Sequence, residues 1–228
     1  MKNRFKLIVP CLLFCMVLCD KMSSITEEYM KGGEIIYTGM IDSALAVPGK
    51  NRAILSWELS SDPRVTKTVI YWNEGVDSSL VVISASQIGK KVEKELQLTE
   101  AYYLFNIITK DDEGHRSNGV NISADVYGDQ YIAGLRNRSI QTSTMGTTGL
   151  TVNWFAIETT DIQYITVVYT DFSDPGNPVA KTVQVENTDT STLLPGAKLG
   201  ESFTVVTVYL PKGGLDMVSV PAKGYTIQ

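Results

Sequence analysis

The chain is short of cysteine and histidine. Its 228 residues include three cysteines, Cys11, Cys15 and Cys19, all within the first nineteen positions. The rest of the chain therefore has no disulfide of its own and must be held together by apolar cores. The single histidine, His115, excludes every metal site that needs several imidazoles, and most histidine-based catalysis.

Basic residues are in the minority. The chain has 20 Lys and Arg against 25 Asp and Glu, a net charge of −5, whereas phosphate binding needs a clustered basic surface. A nucleic-acid partner is therefore not expected. The motifs of phosphate-binding loops, zinc proteases and serine hydrolases do not occur either. We accordingly assign no cofactor, no metal and no catalytic residue, and expect a protein that is not an enzyme.

The first 18 residues have the character of an export signal. Lys2, Arg4 and Lys6 form a positive start, and the twelve residues that follow are apolar, too few for a transmembrane helix of about 20 residues. We therefore predict a signal peptide over 1–18. Cys19, where the apolar stretch ends, resembles the acylated cysteine of a bacterial lipoprotein signal. The resemblance implies a lipid anchor; the alternative is an ordinary secretory signal, with Cys19 removed or left as a free thiol.

Most of the remaining chain has the pattern of short β-strands. Residues 19–43 lack a sustained period and mix charges with glycine, so we predict a tether there. From about residue 44 onward, alternating apolar segments are separated by turn residues about every 8–12 positions, which is typical of a sandwich. The predicted strands are 52–59, 65–72, 79–85, 92–98, 103–109, 120–127 and 162–170.

The pattern of the first half recurs in the second. Three strands share nearly the same offset, which favours two copies of one module. The pairs 97 residues apart are Ala53/Leu150, Leu55/Val152, Trp57/Trp154, Thr68/Ile165, Ile70/Val167 and Trp72/Tyr169, and those 98 apart are Phe105/Phe203, Ile107/Val205 and Thr109/Thr207.

Both copies resemble the fibronectin type III module. The resemblance rests on a strand ending in tryptophan (LSW at 55–57, VNW at 152–154), on the step from Leu98 to Tyr103, and on the Leu-Pro-Gly turn at 194–196. It implies an all-β fold of two tandem immunoglobulin-like, fibronectin type III-like β-sandwiches. Their expected bounds are 44–127 for module 1 and 141–228 for module 2, with a junction at 128–140.

The whole layout resembles a group of uncharacterised tandem fibronectin-like lipoproteins of Bacteroidota, which has no assigned activity. Such proteins often accompany glycan-capture systems. The resemblance therefore implies an accessory binding protein, anchored at the outer membrane or cell surface, with a glycan or an envelope protein as its partner. Asp42-Ser43-Ala44 also matches the short O-glycosylation pattern of exported proteins in that phylum, which makes Ser43 a candidate modification site.

Aromatic residues outside the predicted cores are the candidate ligand contacts, because sugar rings stack on exposed aromatic faces. Trp57 and Trp154 share faces with aliphatic residues and are assigned to the cores. Phe172 lies in a loop of turn residues, where it either contacts a ligand or covers its own module. The predicted ligand-binding residues are Phe172, Tyr131, Tyr127, Tyr71 and Arg136.

Two segments leave alternatives open. Residues 129–138 are spaced for a short helix, which either packs between the modules or, with Arg136 and Arg138, lines an inter-domain groove for a ligand. His115 is assigned to a solvated turn, the alternative being a general base beside Ser117 and an aspartate. The acidic run 111–113 is assigned to the same turn, with calcium binding as its alternative.

Two other functions compete with accessory binding. A structural spacer or protein–protein assembly module would use sheet faces and edges, and needs no exposed aromatic cluster. A glycoside hydrolase would need two carboxylates facing each other across a cleft, about 5–10 Å apart. An exposed aromatic cluster flanked by Asn, Asp or Arg would distinguish a binding module from a spacer.

Overall fold

The computed structural model describes residues 35–228. The predicted signal peptide, the acylation site Cys19 and the part of the predicted tether before residue 35 lie outside the described residues. Within 35–228, no helix is long and apolar enough to cross a membrane.

Seven strands form the first sandwich. They are β1 Asp42–Gly49, β2 Arg52–Glu58, β3 Lys67–Trp72, β4 Asp77–Val82, β5 Lys91–Gln97, β6 Ala101–Lys110 and β7 Val120–Val126. The strands pair antiparallel in two sheets, in the orders β1-β2-β5 and β4-β3-β6-β7. A left-handed turn at Asn73–Gly75 and a single turn of 3₁₀ helix at Ala85–Gln87 lie on either side of β4.

A short helix and eight strands follow. They are α1 Asp129–Gly134, β8 Ile140–Met145, β9 Gly149–Trp154, β10 Ile162–Asp171, β11 Val179–Glu186, β12 Ser191–Pro195, β13 Ser202–Tyr209, β14 Val218–Ser219 and β15 Lys223–Thr226. One sheet has the order β8-β9-β12 and the other β11-β10-β13, with β14 and β15 both paired to β13. The predicted fold class, two tandem immunoglobulin-like β-sandwiches in an all-β protein, is confirmed.

Each sandwich has its own apolar core between its two sheets. Trp57 from β2 and Phe105 from β6 are fully buried in the first core. Trp154 from β9 and Val205 from β13 are buried in the second. The assignment of the two tryptophans to the cores is confirmed.

The strand register of the first sandwich recurs in the second. When two residues are paired between β2 and β5 or between β3 and β6 of the first sandwich, their counterparts 97 or 98 positions later are paired in the second. The equivalent pairs are Ile70–Ile107 and Val167–Val205, Thr68–Thr109 and Ile165–Thr207, and Ala53–Leu96 and Leu150–Leu194.

The end of the predicted tether packs against the first sandwich, which differs from the sequence prediction. Thr38 and Ile41 are buried, and Asp42 and Ser43 belong to β1. The alternation is interrupted at Ser43, which has a φ of +48° where the register of β1 shifts. Because a bulge breaks the period of two, this strand has no alternating sequence signal.

A buried threonine anchors the chain where it enters each sandwich. The Thr109 hydroxyl donates to the carbonyl of Gly39 (2.8 Å). At the equivalent position in the second sandwich, the Thr207 hydroxyl accepts from the N–H of Arg138 (2.8 Å), and the Thr207 N–H donates to the side chain of Asn137 (2.7 Å). The anchor is therefore part of the duplicated architecture.

We predict that Thr109→Val lowers the free energy of unfolding by about 1–3 kcal/mol, because it leaves the partly buried carbonyl of Gly39 without its hydrogen-bond donor and removes the buried hydroxyl beside that of Thr38. Urea unfolding followed by tryptophan fluorescence measures the change.

The neighbouring Thr68→Val is the matched control. Thr68 pairs with Thr109 across β3 and β6 and is equally buried, yet its hydroxyl has no hydrogen-bond partner among the described residues. Removing an unpaired buried hydroxyl should leave stability unchanged or raise it. Equal destabilisation by both variants would contradict the anchoring role of Thr109.

Candidate functional site

The outward side of the sheet β4-β3-β6-β7 carries aromatic residues where a solvated sheet would carry polar ones. Along β6, Tyr103, Phe105 and Ile107 point into the core, which leaves Tyr102 and Leu104 on the other face. The side chain of Tyr102 is 68% exposed and that of Leu104 57%.

These residues line an open hollow of about 720 Å³. We call its lining the tyrosine face and define it by Tyr71 on β3, Tyr102, Leu104 and Asn106 on β6, and Asn121 on β7. Arg116 and Glu74 also line the hollow. The arrangement combines two phenol rings with amide and charged groups, as binding sites for polar organic ligands do.

A pair of amides occupies the middle of the tyrosine face. The side-chain N–H of Asn106 donates to the Oδ1 of Asn121 at 2.7 Å. Gly119 makes room for the pair, because a Cβ at this position would overlap the amide of Asn106. The bond uses one donor and one acceptor, so each amide retains hydrogen-bonding capacity toward the hollow.

The loop between β3 and β4 holds Glu74 in a left-handed backbone conformation. Asn73, Glu74 and Gly75 have φ values of +50°, +56° and +86°. The side chain of Asn73 bonds to Asp77 at the start of β4. Left-handed geometry is unfavourable for glutamate. Tight connections between antiparallel strands often use positive φ values, and strained residues also cluster at functional sites.

The second sandwich has no aromatic residues at the equivalent places. Its strands keep the same register, but Val168 stands where the first sandwich has Tyr71, Gly200 where it has Tyr102, Ser202 where it has Leu104, and Thr204 where it has Asn106. Because the second copy forms the same sheet with these residues, the fold itself does not require the tyrosine face.

The five predicted ligand-binding residues are not brought together. Tyr71 belongs to the tyrosine face. Phe172 lies in the other sandwich, half-buried in a shallow hollow of about 510 Å³, with the Lys198 ammonium 5.5 Å from its ring centroid. Ser43, the candidate modification site, is exposed in β1, which belongs to the other sheet of the first sandwich from the strand of Tyr71.

Tyr127 and Tyr131 meet where the two sandwiches join. Their ring centroids are 5.7 Å apart, and Tyr127 is only 4% exposed. The Tyr127 hydroxyl donates to the carbonyl of Asp216 (2.9 Å) and accepts from the N–H of the same residue (2.7 Å). Burial raises the pKa of Tyr127. Its hydroxyl is therefore engaged in linking the sandwiches.

The two arginines near the junction have different surroundings. Arg138 is buried and donates to the carbonyls of Phe155 (3.0 Å) and Asp189 (2.9 Å), and burial lowers its pKa. Arg136 is exposed and lines a hollow of about 450 Å³, separate from the hollow beside Tyr127 and Tyr131. The alternative prediction of one inter-domain groove is therefore replaced by two separate hollows. Arg138 donates to backbone carbonyls and does not line either hollow.

His115 lies in the predicted turn, but the turn is less solvated than expected. Its Nδ1 is 2.7 Å from Asp111, whose carboxylate also accepts from the backbone N–H groups of Glu113 and His115. Asp111 is buried. One of its carboxylate oxygens lies within 4.8 Å of a carboxylate oxygen of Glu113 and an imidazole nitrogen of His115, the atoms that a metal ion would need. The Ser117 hydroxyl is bonded to Thr109 and Asn118 instead, so no serine–histidine pair forms.

Asp216 in the loop between β13 and β14 connects the second sandwich to the first. Its carboxylate accepts from the Nη2 (2.6 Å) and Nε (3.0 Å) of Arg52, and from the N–H of Lys50 (2.8 Å). The hydrogen bonds from Arg52 hold the pKa of Asp216 below its ordinary value, against the opposing effect of burial. Next to it, the N–H of Leu215 donates to the carbonyl of Pro48 (2.9 Å).

The junction helix α1 is held by the first sandwich as well. Both carboxylate oxygens of Glu100 accept backbone N–H groups, from Gln130 (2.7 Å) and Tyr131 (2.6 Å). Glu100 therefore caps the orphan donors at the start of the helix. The helix itself packs Tyr131 and Ile132 against the second core.

The sheet orders and registers define a protein of two tandem sandwiches of the fibronectin type III and immunoglobulin-like class. The model of the DUF4998 family, described as a domain of unknown function, matches residues 19–217. The chain therefore belongs to this family, whose matched region includes both sandwiches up to Met217. No curated protein matches the chain.

Solved structures of tandem β-sandwiches are among those similar to the chain, each at 12% identity. A two-domain fibronectin type III segment of chicken tenascin aligns over 82% of this chain and 99% of its own, with a TM-score of 0.35. The FN1–FN3 domains of chicken CNTN1 align over 86% and 69% (0.38). The chicken interferon gamma receptor alpha chain aligns over 83% and 98% (0.34).

Tyr102, Asn106 and Asn121 are site residues that sequence reasoning missed. The available signal was the alternation of β6: once Tyr103 is assigned to the core, Tyr102 and Leu104 must face outward. Two large apolar residues on the solvated side of a strand are a sign of a contact surface.

We predict that Asp216→Asn lowers the free energy of unfolding by about 1–3 kcal/mol at neutral pH, because it removes the closer of the two carboxylate partners of Arg52 and leaves only Glu95 at 3.2 Å. The pKa of Asp216 is lower in the folded than in the unfolded chain. Its contribution is therefore complete above the unfolded value of about 4 and disappears as the pH falls through the folded value.

Urea titrations of wild type and variant at several pH values measure this dependence. The two stabilities should begin to converge as the pH falls below about 4 and should meet below the folded pKa of Asp216. Asp125→Asn serves as the control, since this exposed carboxylate has no hydrogen bond among the described residues. A gap between wild type and Asp216→Asn that persists unchanged in acid would refute the assignment.

Proposed function

We propose that this protein is a non-catalytic glycan-binding module displayed on the cell envelope, and that the tyrosine face is its binding site. The observation that carries the proposal is the exposed Tyr102 and the half-buried Tyr71, which line one hollow with the amides of Asn106 and Asn121. The second sandwich keeps the register without these side chains.

The chemistry of the tyrosine face suits a sugar. The apolar C–H face of a pyranose ring can stack on a phenol ring, while its hydroxyls need donors and acceptors around the ring. The amide pair and the flanking charges of Glu74 and Arg116 provide both kinds of group. Lys110, whose Nζ lies 3.4 Å from the Tyr71 hydroxyl, helps to fix the orientation of that phenol.

Binding without hydrolysis is favoured by the distribution of carboxylates. Glu74 is the one carboxylate that lines the hollow of the tyrosine face within the described part of the chain. Glycoside hydrolysis needs two, one of them acting as an acid. The hollow at the junction contains Glu100 and Asp125, but both oxygens of Glu100 are occupied by the helix N–H groups.

An assembly module for protein partners is the second candidate function. Leu80 and Val82 on the edge strand β4 are 55% and 70% exposed, on the same sheet face as Tyr71. An edge strand with exposed aliphatic side chains offers both backbone hydrogen bonds and apolar contact to a partner chain.

Anchoring through Cys19 belongs to the same proposal and is supported by the sequence. The positive start, the short apolar stretch and the cysteine at its end have the order of a lipoprotein signal. An acyl chain and a lipid surface would then be the membrane partner, and the outer membrane or cell surface the expected location.

Metabolic labelling of expressing bacterial cells with a palmitate analogue should label the wild-type protein and not Cys19→Ala. Cys15→Ala is the matched control and should keep the label, because this cysteine lies inside the apolar stretch. Equal labelling of wild type and Cys19→Ala, or no labelling at all, would contradict acylation at Cys19.

We predict that the purified protein is retarded in native gels containing one class of neutral polysaccharide, and that Tyr102→Ala weakens this binding about tenfold. Loss of one stacked ring is expected to cost about 1.4 kcal/mol, which corresponds to that factor. Affinity electrophoresis over a series of polysaccharide concentrations gives the dissociation constants.

Tyr164→Ala is the control variant, because Tyr164 lies on the corresponding sheet of the second sandwich and is likewise not buried. It should bind as wild type does, and thermal unfolding should show that both variants are folded. No retardation by any polysaccharide, or equal binding by the two variants, would overturn the glycan proposal and favour the assembly function.

A further inference from the structure

The tyrosine face adjoins a second hollow at the module junction. Tyr102 on β6 and Asp125 on β7 are directly paired. Tyr102 lines the 720 Å³ hollow, and Asp125 lines a hollow of about 310 Å³. Because paired side chains on one face of antiparallel strands lie about 5 Å apart, a single pair of residues separates the two hollows.

Both sandwiches contribute to this junction hollow, which we define by Glu100, Asp125, Tyr127, Tyr131 and Lys212. Glu100 and Asp125 come from the first sandwich and Tyr131 from the helix α1. Lys212 comes from the loop between β13 and β14 of the second sandwich. The junction hollow thus repeats the composition of the tyrosine face, with an aromatic ring beside groups of both charges.

The combined surface is too long for a single sugar. Asn106 and Tyr102 are four residues apart on β6, or about 14 Å at the rise of an antiparallel strand. The junction hollow lies beyond Tyr102 in the same direction, because β6 begins and β7 ends beside it. A ligand that contacts both hollows must therefore be an extended chain of several sugar rings.

Side chains of both charges occur along this path. Glu74 and Arg116 line the tyrosine face, and Asp125 and Lys212 line the junction hollow together with Glu100, whose two carboxylate oxygens already accept the helix N–H groups. An anionic polysaccharide would meet a carboxylate in each hollow, and a cationic one would meet a basic side chain in each. The surface therefore favours an uncharged chain.

The two hollows are held in fixed positions before any ligand binds. Tyr127 and Asp216 join the sandwiches through two hydrogen bonds, and Glu100 caps the helix that carries Tyr131. A site whose parts are already in place loses less conformational entropy when it binds.

On these grounds we infer that the glycan site extends from the tyrosine face across the module junction, and that its ligand is an uncharged polysaccharide chain bound along its length. This inference rests on the proposed function. It also assigns to the second sandwich a role in binding, through Lys212.

The test uses neutral oligosaccharides of increasing length, prepared by partial hydrolysis of the polysaccharide that retards the protein, and isothermal titration calorimetry. Affinity should rise with length until both hollows are filled. The double variant with Asp125→Ala and Lys212→Ala should bind long oligosaccharides about tenfold more weakly, and disaccharides as wild type does. Both side chains are exposed, so the variant should fold normally.

Controls separate this inference from the proposed function. Lys198→Ala removes an exposed lysine from the second sandwich outside the junction and should have no effect. If Tyr102→Ala weakens binding while the double variant binds every length normally, the extended site is wrong and the tyrosine face stands. If no polysaccharide binds, or Tyr102→Ala has no effect, both are wrong.

Discussion

The carboxylate of Asp216 holds together a junction that sequence alone would suggest is a simple linker. It receives the guanidinium of Arg52 and the N–H of Lys50, while its own backbone exchanges two hydrogen bonds with the Tyr127 hydroxyl. Five hydrogen bonds therefore converge on one residue of a loop. Charge-assisted hydrogen bonds are shorter and stronger than neutral ones, and partial burial protects them from screening. With this contact in place, the tyrosine face and the junction hollow keep one spatial relation.

Duplication provides an internal reference for separating fold from function. The two sandwiches share their registers and the buried threonine at Thr109 and Thr207, so these features belong to the common architecture. The aromatic and amide side chains of the tyrosine face occur in one copy only. Substitution at matched positions changed the surface without changing the sheets, as expected when outward residues contribute little to the core.

Much of the fold was predictable because alternation and turn chemistry are local. Trp57 and Trp154 could be assigned to cores from their neighbours, and the shared offsets predicted two copies. The junction could not be predicted in this way, since Asp216 meets Arg52 across 164 residues of sequence. The burial of Tyr127, which was expected to be a ligand contact, could not be predicted either, because the loop that covers it lies 89 residues further along the chain. Of the tyrosine face, sequence reasoning found Tyr71 and missed Tyr102. The fibronectin-like step from Leu98 needs one aromatic residue at this place, and Tyr103 was assigned to it, so the neighbouring Tyr102 was not considered.

An exposed aromatic sheet face is unfavourable for a folded chain and does not stabilise its core. Apolar side chains on an open sheet invite association with other chains, and natural sheets usually carry charged or small polar residues there. The second sandwich follows that rule at Ser202 and Thr204, and its exception is the smaller aliphatic residue Val168. The first departs from it at Tyr102 and Leu104, beside a loop in which Glu74 holds an unfavourable backbone conformation. These two departures from local preference lie in one hollow, and a ligand that binds there would explain both. Binding stabilises the folded state and so offsets the stability lost through the exposed apolar side chains and the strained backbone.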